Sequence, residues 1–126
     1  MALKLDMSKA YDRLEWTFLQ RIMEKMGFHL NWIGWISECI CSATYFVLVN
    51  GEPKGHITPT RGIRQGDPFS PYLFLLCSEG LNGLIEHAVD RKHIEGFSLC
   101  RNGPKISHLF FANDSLLFCC ARLEDV

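Results

Sequence analysis

Apolar and polar residues alternate along this chain in two rhythms, and the rhythm changes several times. The run Ile106–Cys120, I-S-H-L-F-F-A-N-D-S-L-L-F-C-C, holds two apolar blocks, Leu109–Phe111 and Leu116–Cys120, pinched by Asn113 and Asp114. Blocks of that length around turn-tolerant residues predict two strands of a hairpin. Asn and Asp suit such a turn because they accept left-handed backbone angles and hydrogen-bond their own backbone. Ala2–Met7 is a further short apolar strand with Asp6 near its end. After it the period lengthens. Leu14, Phe18, Leu19, Ile22, Met23 and Met26 make a helical stripe, with Asp12 and Glu15 as a capping-box-like start and Gly27 as the stop. Asn31 is placed to cap a second helix through about Cys41, with Trp32, Trp35, Ile36 and Ile40 inside.

Thr44–Asn50, T-Y-F-V-L-V-N, is rich in β-branched and aromatic residues and reads as a strand. Asn50-Gly51 opens a turn, Gly55 closes it, and His56–Thr60 returns as the partner. By alternation, Tyr45 or Phe46 is expected to face a core. The segment Arg61–Pro71, R-G-I-R-Q-G-D-P-F-S-P, is too rich in charge, glycine and proline for a regular element. Ser70 as cap and Pro71 at the first helical position start a long helix to about Val89. Ile94–Leu99 is a strand, and Asn102-Gly103 turns the chain back toward the hairpin. Strands and helices mix without strict alternation, which predicts an α+β fold: an antiparallel sheet with helices on one face.

Composition narrows the class. The chain has 126 residues, enough for one domain, and 48% of them are hydrophobic, enough for a core. A formal net charge of −1 leaves any nucleic-acid contact to local patches. Six cysteines contain no C-x-x-C pair, and no secretory apolar block precedes them, so neither a zinc knuckle nor a disulfide framework is indicated. Small buried thiols in a reducing compartment are expected instead, and nothing in the sequence chooses between an intracellular nuclear and a cytoplasmic location. No apolar run approaches the roughly eighteen residues of a membrane span. The five histidines lack ligand spacing, and Trp16, Trp32 and Trp35 are read first as packing residues. Lys9 and Arg13 are assigned to a solvated face, Asp12 to the helix cap, and Asp67 to a cap or ion pair within its loop.

Three segments carry the chemistry. Asp6 ends a strand, Asp114 tips a hairpin, and the loop with Arg61, Arg64, Gln65, Gly66 and Asp67 leads into a helix N-terminus. In a helix-backed sheet, neighbouring strands can set the two acidic residues side by side. Paired carboxylates repel unless a cation neutralises them, and magnesium, a hard ion shared with substrate phosphates, suits such a pair. A basic loop before a helix start suits phosphate. The bland alternative is a tight turn at Asn113-Asp114 and a surface carboxylate at Asp6.

L-K-L-D-M-S-K-A-Y-D, R-G-I-R-Q-G-D-P-F-S-P-Y-L-F and F-A-N-D-S, in this order and spacing, resemble the palm of a reverse transcriptase of the non-LTR (LINE-type) retrotransposon group common in plant genomes. The resemblance covers nearly the whole chain. It implies an RNA-directed DNA polymerase that uses two magnesium ions, an RNA template, a DNA primer and deoxynucleoside triphosphates. Asp6 matches the first metal-binding aspartate. Tyr11 matches the bulky residue under the incoming sugar, and Gln65 and Gly66 match the nucleotide and template pocket, with Arg61 and Arg64 beside them. Phe111-Ala112-Asn113-Asp114 matches an aromatic-x-Asp-Asp tip. Here Asn113 stands where the family has the first and stronger of the two aspartates, which leaves Asp6 and Asp114 as metal ligands. The second ion loses its main compensation, and the copy is expected to be inactive in polymerisation. The chain is also expected to be an excerpt of a larger protein. Most of the fingers, the thumb and an endonuclease would lie outside it, and its palm would be incomplete. The rival expectations are a non-catalytic remnant that binds nucleic acid or a protein partner, and a translated relic with no function.

Overall fold

The computed structural model describes residues 1–111 and 113–119. Its elements run β1 (Ala2–Asp6), α1 (Trp16–Lys25), α2 (Leu30–Cys41), β2 (Tyr45–Val49), β3 (Glu52–Ile57), α3 (Ser70–Asp90), β4 (Phe97–Ser98), β5 (Lys105–Ile106), β6 (His108–Phe111) and β7 (Asp114–Phe118). The fold is mixed α+β, and every strand pairing among the described residues is antiparallel. The single sheet expected from the sequence is instead three small ones, ordered β1-β7-β6, β2-β3 and β4-β5. The chain divides into two compact units: Met1–Ala10 with Glu79–Val126, and Tyr11–Ser78. The boundary falls inside α3.

In the first unit β7 lies between β1 and β6. The β6–β7 turn is tight, with Phe111 opposite Asp114, and Asn113 lies in it. The turn therefore sits one residue earlier than the sequence suggests, and Asp114 opens the strand rather than tipping the hairpin. Ala112, Cys120 and the closing residues 121–126 lie outside the described residues. His108 ties β6 to α3: its Nε2 is 2.7 Å from Asn82 Oδ1, and its Nδ1 is 2.9 Å from Ser107 Oγ. The rings of Phe97 and Phe118 meet edge to face with centroids 4.8 Å apart, joining β4 to β7. The strand expected over Ile94–Leu99 is shorter, Phe97–Ser98, and its turn is made by Asn102 at φ +68.

In the second unit, α1 packs on α2. Leu19 and Met23 of the predicted stripe are fully buried, with Ile33 and Ile36 buried on the other helix. Gln20 Nε2 donates to Ser37 Oγ across the pair at 2.9 Å. Phe18 and Met26 of the same stripe are exposed, because the face α1 covers is narrower than its apolar arc. Three cap assignments are corrected. The N-cap of α1 is Glu15, without a side-chain cap bond, so Asp12 belongs to the preceding turns. The N-cap of α2 is His29, whose Nδ1 accepts from the Asn31 backbone N–H at 3.2 Å. For α3 the Phe69 carbonyl takes the first helical bond, from Leu73 N–H, so Ser70 is already helical and is 3% exposed. The cap-type contact there is Asp67 Oδ1, which accepts from Phe69 N–H at 2.8 Å.

The β2–β3 hairpin turns on Asn50 and Gly51, both left-handed at φ +53 and +82, as a two-residue hairpin turn requires. Gly55 is not the turn's close. It lies within β3 at φ +66, at the point where the register slips between Phe46 opposite His56 and Val47 opposite Lys54, and so makes a glycine bulge. Every residue of β2 and β3 is exposed, so neither Tyr45 nor Phe46 reaches a core, contrary to the alternation argument. A two-stranded ribbon buries a face only if a third element covers it. Trp32 and Trp35 are likewise exposed and meet each other edge to face.

The cysteines also depart from expectation. Cys39, Cys41, Cys77, Cys100 and Cys119 are free thiols, but Cys39, Cys41 and Cys100 are exposed. Only partial burial is found at Cys77, where desolvation pushes the thiol up to about 11. Because the thiolate is the reactive form, a shift from the ordinary 9.0 to about 11 leaves Cys77 about a hundredfold poorer in thiolate at pH 8. Iodoacetamide mapping at pH 8 by mass spectrometry is expected to label Cys39 and Cys100 well before Cys77. Equal rates at all three would contradict the burial of Cys77.

Candidate active-site strands and loop

The first candidate group is set by strand register. Asp6, the last residue of β1, lies directly opposite Asp114, the first of β7. Directly opposed side chains in an antiparallel pair have Cβ atoms about 4.5–5.5 Å apart, and like charges there destabilise the ladder. Two donors of the chain offset that repulsion. The Asn113 Nδ2 donates to Asp6 Oδ1 at 3.0 Å, and the Lys4 Nζ lies 2.9 Å from Asp114 Oδ2. Lys4 stands two residues before Asp6, so both side chains leave β1 on one face. The carboxylate of Asp114, bonded to Lys4 and attracting it, holds the Lys4 ammonium above the usual lysine range, and Asp6 adds to the effect. A backbone bond from Met7 N–H to the Asn113 carbonyl, 3.2 Å, fixes the turn against the end of β1. Phe111, opposite Asp114, is 82% exposed.

The second group belongs to the other unit. The loop after β3 is bonded back onto the segment before α1. Gly62 N–H donates to Leu14 O at 2.7 Å, Ile63 N–H to Tyr11 O at 2.9 Å, and Trp16 Nε1 to Gly62 O at 2.6 Å. Arg61 pairs with Glu15 at 3.2 Å, an exposed pair of small energetic weight. Gly62 is required here. Its φ is +88, and a Cβ would meet the Asp12 carbonyl oxygen at 2.9 Å. Ile63 is buried and anchors the loop, while Gly66 turns it at φ +85 toward α3. Tyr11 stacks on Phe74 of α3, rings 5.1 Å apart and 14° from parallel. A cavity of about 820 Å³ opens beside the loop, lined among others by Trp32, Trp35, Tyr45, Arg61, Arg64 and Gln65. Gln65 and Arg64 thus face a space with aromatic walls, and Trp16 proves to be a positioning residue for the loop.

Sequence reasoning thus anticipated the pairing of Asp6 with Asp114 and missed Lys4. The available signal was its i, i+2 spacing from Asp6 in the L-K-L-D string, which alternation places on the aspartate's own face. Trp16 carried no such signal, since its bond to Gly62 spans 46 positions.

Residues 1–125 match the family model of reverse transcriptases, RNA-dependent DNA polymerases. The chain belongs to the reverse transcriptase family. It is 46% identical over 76 residues to an uncharacterized mitochondrial protein of Arabidopsis thaliana, covering 60% of this chain and 62% of that protein. It is 32% identical over 115 residues to a retrovirus-related Pol polyprotein from the type-1 retrotransposable element R2 of Popillia japonica, covering 90% of this chain and 18% of the polyprotein. A 149 kDa uncharacterized protein of transposon TX1 from Xenopus laevis is 28% identical over 115 residues, 91% of this chain and 8% of that protein. This reverse transcriptase domain is therefore of the retroelement type and spans less than two thirds of the relatives it matches. Among the described residues no helix is long and apolar enough to cross a membrane.

The family works with divalent metal. Among the described residues no group of three or more His, Cys, Asp or Glu side chains is gathered for a metal. Asp6 and Asp114 offer two carboxylates and Asn113 a neutral carbonyl. That set suits one hard cation completed by water and phosphate, and is too poor in charge for two.

The loop allows a stability test. Gly62→Ala combines a left-handed backbone with a clash against Asp12 and is expected to cost more than about 1 kcal/mol in urea unfolding. A neutral result would mean that the loop does not need its contact with the Tyr11–Leu14 segment.

Proposed function

We propose that residues 1–126 are the palm, with part of the fingers, of a retroelement reverse transcriptase whose remaining segments belong to a longer protein, and that this copy does not polymerise. The observation that carries the reading is the register of Asp6 opposite Asp114 with Asn113 bonded to Asp6. The share of each relative that the chain matches, 8% and 18% of the two retroelement proteins, supports a place inside a longer polypeptide.

The family reaction is attack of a primer 3′-hydroxyl on a deoxynucleoside triphosphate, directed by an RNA template. Asp6 and Asp114 are the residues that would hold magnesium, and a bound ion would lower the pKa of the primer hydroxyl and offset the negative charge of the departing pyrophosphate. Tyr11 supports the incoming sugar, and its stack on Phe74 keeps the ring in one orientation. Gln65 and Gly66, with Arg61 and Arg64, meet nucleotide and template, and Phe111 flanks the tip. Duplex binding rests on many phosphate contacts, which the fingers and thumb of the parent would supply. Asn113 defeats the chemistry in two ways. It brings no charge, and its amide donates to an oxygen of Asp6 that a cation would need.

The aromatic and arginine lining of the cavity favours one further reading, retained nucleic-acid binding without catalysis. Binding of an RNA–DNA duplex that weakens steeply with salt would support it over a functionless relic.

The decisive test is magnesium calorimetry on the chain and on Asn113→Asp, both checked for folding by circular dichroism. The Asp variant is expected to bind at least about tenfold more tightly, since even an outer-shell partner is worth that much at a metal site. Equal binding would remove Asn113 as the cause of inactivity. Magnesium-dependent nucleotide incorporation by a parent-length protein that keeps Asn113 would overturn the inactivity itself.

A further inference from the structure

We infer that Lys4 is the resident counter-ion of the Asp6–Asp114 pair, a built-in cation that competes with divalent ions for these carboxylates. The inference rests on the reading of Asp6 and Asp114 as the metal-facing pair, and it adds a residue to which the resemblance assigns no role.

The geometry is specific. Lys4 is in register with Leu116, not with Asp114. To reach Asp114 Oδ2 at 2.9 Å its side chain runs diagonally along the sheet face toward the carboxylate pair. The neighbouring carboxylate is engaged from the other side by Asn113 Nδ2. Each carboxylate therefore has one oxygen already bonded to a donor of the chain. The pair carries two negative charges, and Lys4 returns one, so an incoming divalent ion meets a group with half its nominal charge. An ammonium is a compact point charge with three donors, and it neutralises a carboxylate without the oxygen ligands a metal demands. Such an arrangement keeps β1 and β7 paired at their ends in the absence of any metal.

Lys4→Met keeps the length of the side chain and removes its charge. Titrated with Mn²⁺ and followed by calorimetry, this variant is expected to bind at least about fivefold more tightly than the unaltered chain, the factor that two unit charges about 4 Å apart are worth at the dielectric of water and a floor for a divalent ion. Lys54→Met removes a comparable exposed pair with Glu52 on β3 and is expected to change nothing. In EDTA, Lys4→Met is expected to melt at a lower temperature, and Lys4→Met/Asp114→Asn to recover part of the loss, because removing Asp114 relieves the repulsion Lys4 had offset. Should Lys4→Met fail to fold by circular dichroism, Lys4→Gln takes its place. If the folded variant binds Mn²⁺ no better than the unaltered chain while Asn113→Asp does, Lys4 is no competitor and the metal-facing pair stands. If even Lys4→Met/Asn113→Asp binds no Mn²⁺, the metal-facing pair falls, and this inference with it.

Discussion

Two carboxylates face each other across the β1–β7 ladder, and the end of the sheet depends on how they are neutralised. An antiparallel pair sets opposed residues too close for two unscreened negative charges. The chain answers with an ammonium on one side, Lys4 to Asp114, and an amide on the other, Asn113 to Asp6. Both partners are exposed, so the energy of each contact is modest. Their importance is positional. They allow β1 to pair in register to its last residue with a strand more than a hundred positions away.

The same logic governs the loop from Arg61 to Asp67. It has no regular structure, yet it is not free. Leu14, Tyr11, Trp16 and Glu15 each hold one of its residues, and Asp67 closes it onto the start of α3. Gly62 makes the closest approach possible because it has no side chain to meet the Asp12 carbonyl. What results is a tethered rim for an aromatic cavity, held by two backbone bonds and by the side chains of Trp16, Glu15 and Asp67.

The apolar surface has its own pattern. Leu3, Leu5, Leu109 and Phe111 are exposed in the three-stranded sheet, as are Phe46, Val47 and Leu48 in the β2–β3 hairpin. The buried side chains lie instead at the α1–α2 contact and around Ile63, Leu73, Phe74 and Ile85. A two- or three-stranded sheet buries a face only where another element packs on it, and these faces carry none of the buried core residues.

Much was legible in the sequence because it depends on local rules. The period of apolar residues located α1, α2 and α3, glycine and asparagine marked the turns at Gly27, Asn50-Gly51 and Asn102, and the family strings pointed to the reverse transcriptase family. The hairpin that carries Asp114 followed from two apolar blocks around a turn, and the opposition of Asp6 and Asp114 from the idea of neighbouring strands. What only tertiary structure decided involves partners distant in sequence. The caps at Glu15 and His29 displaced Asp12 and Asn31 because cap geometry depends on the path of the preceding turn. Tyr45 and Phe46 stayed exposed because alternation fixes which side chains share a face, not whether anything covers that face. Lys4 emerged as a counter-ion, and Trp16 as the tie to Gly62, because local propensity does not encode contacts made across dozens of positions.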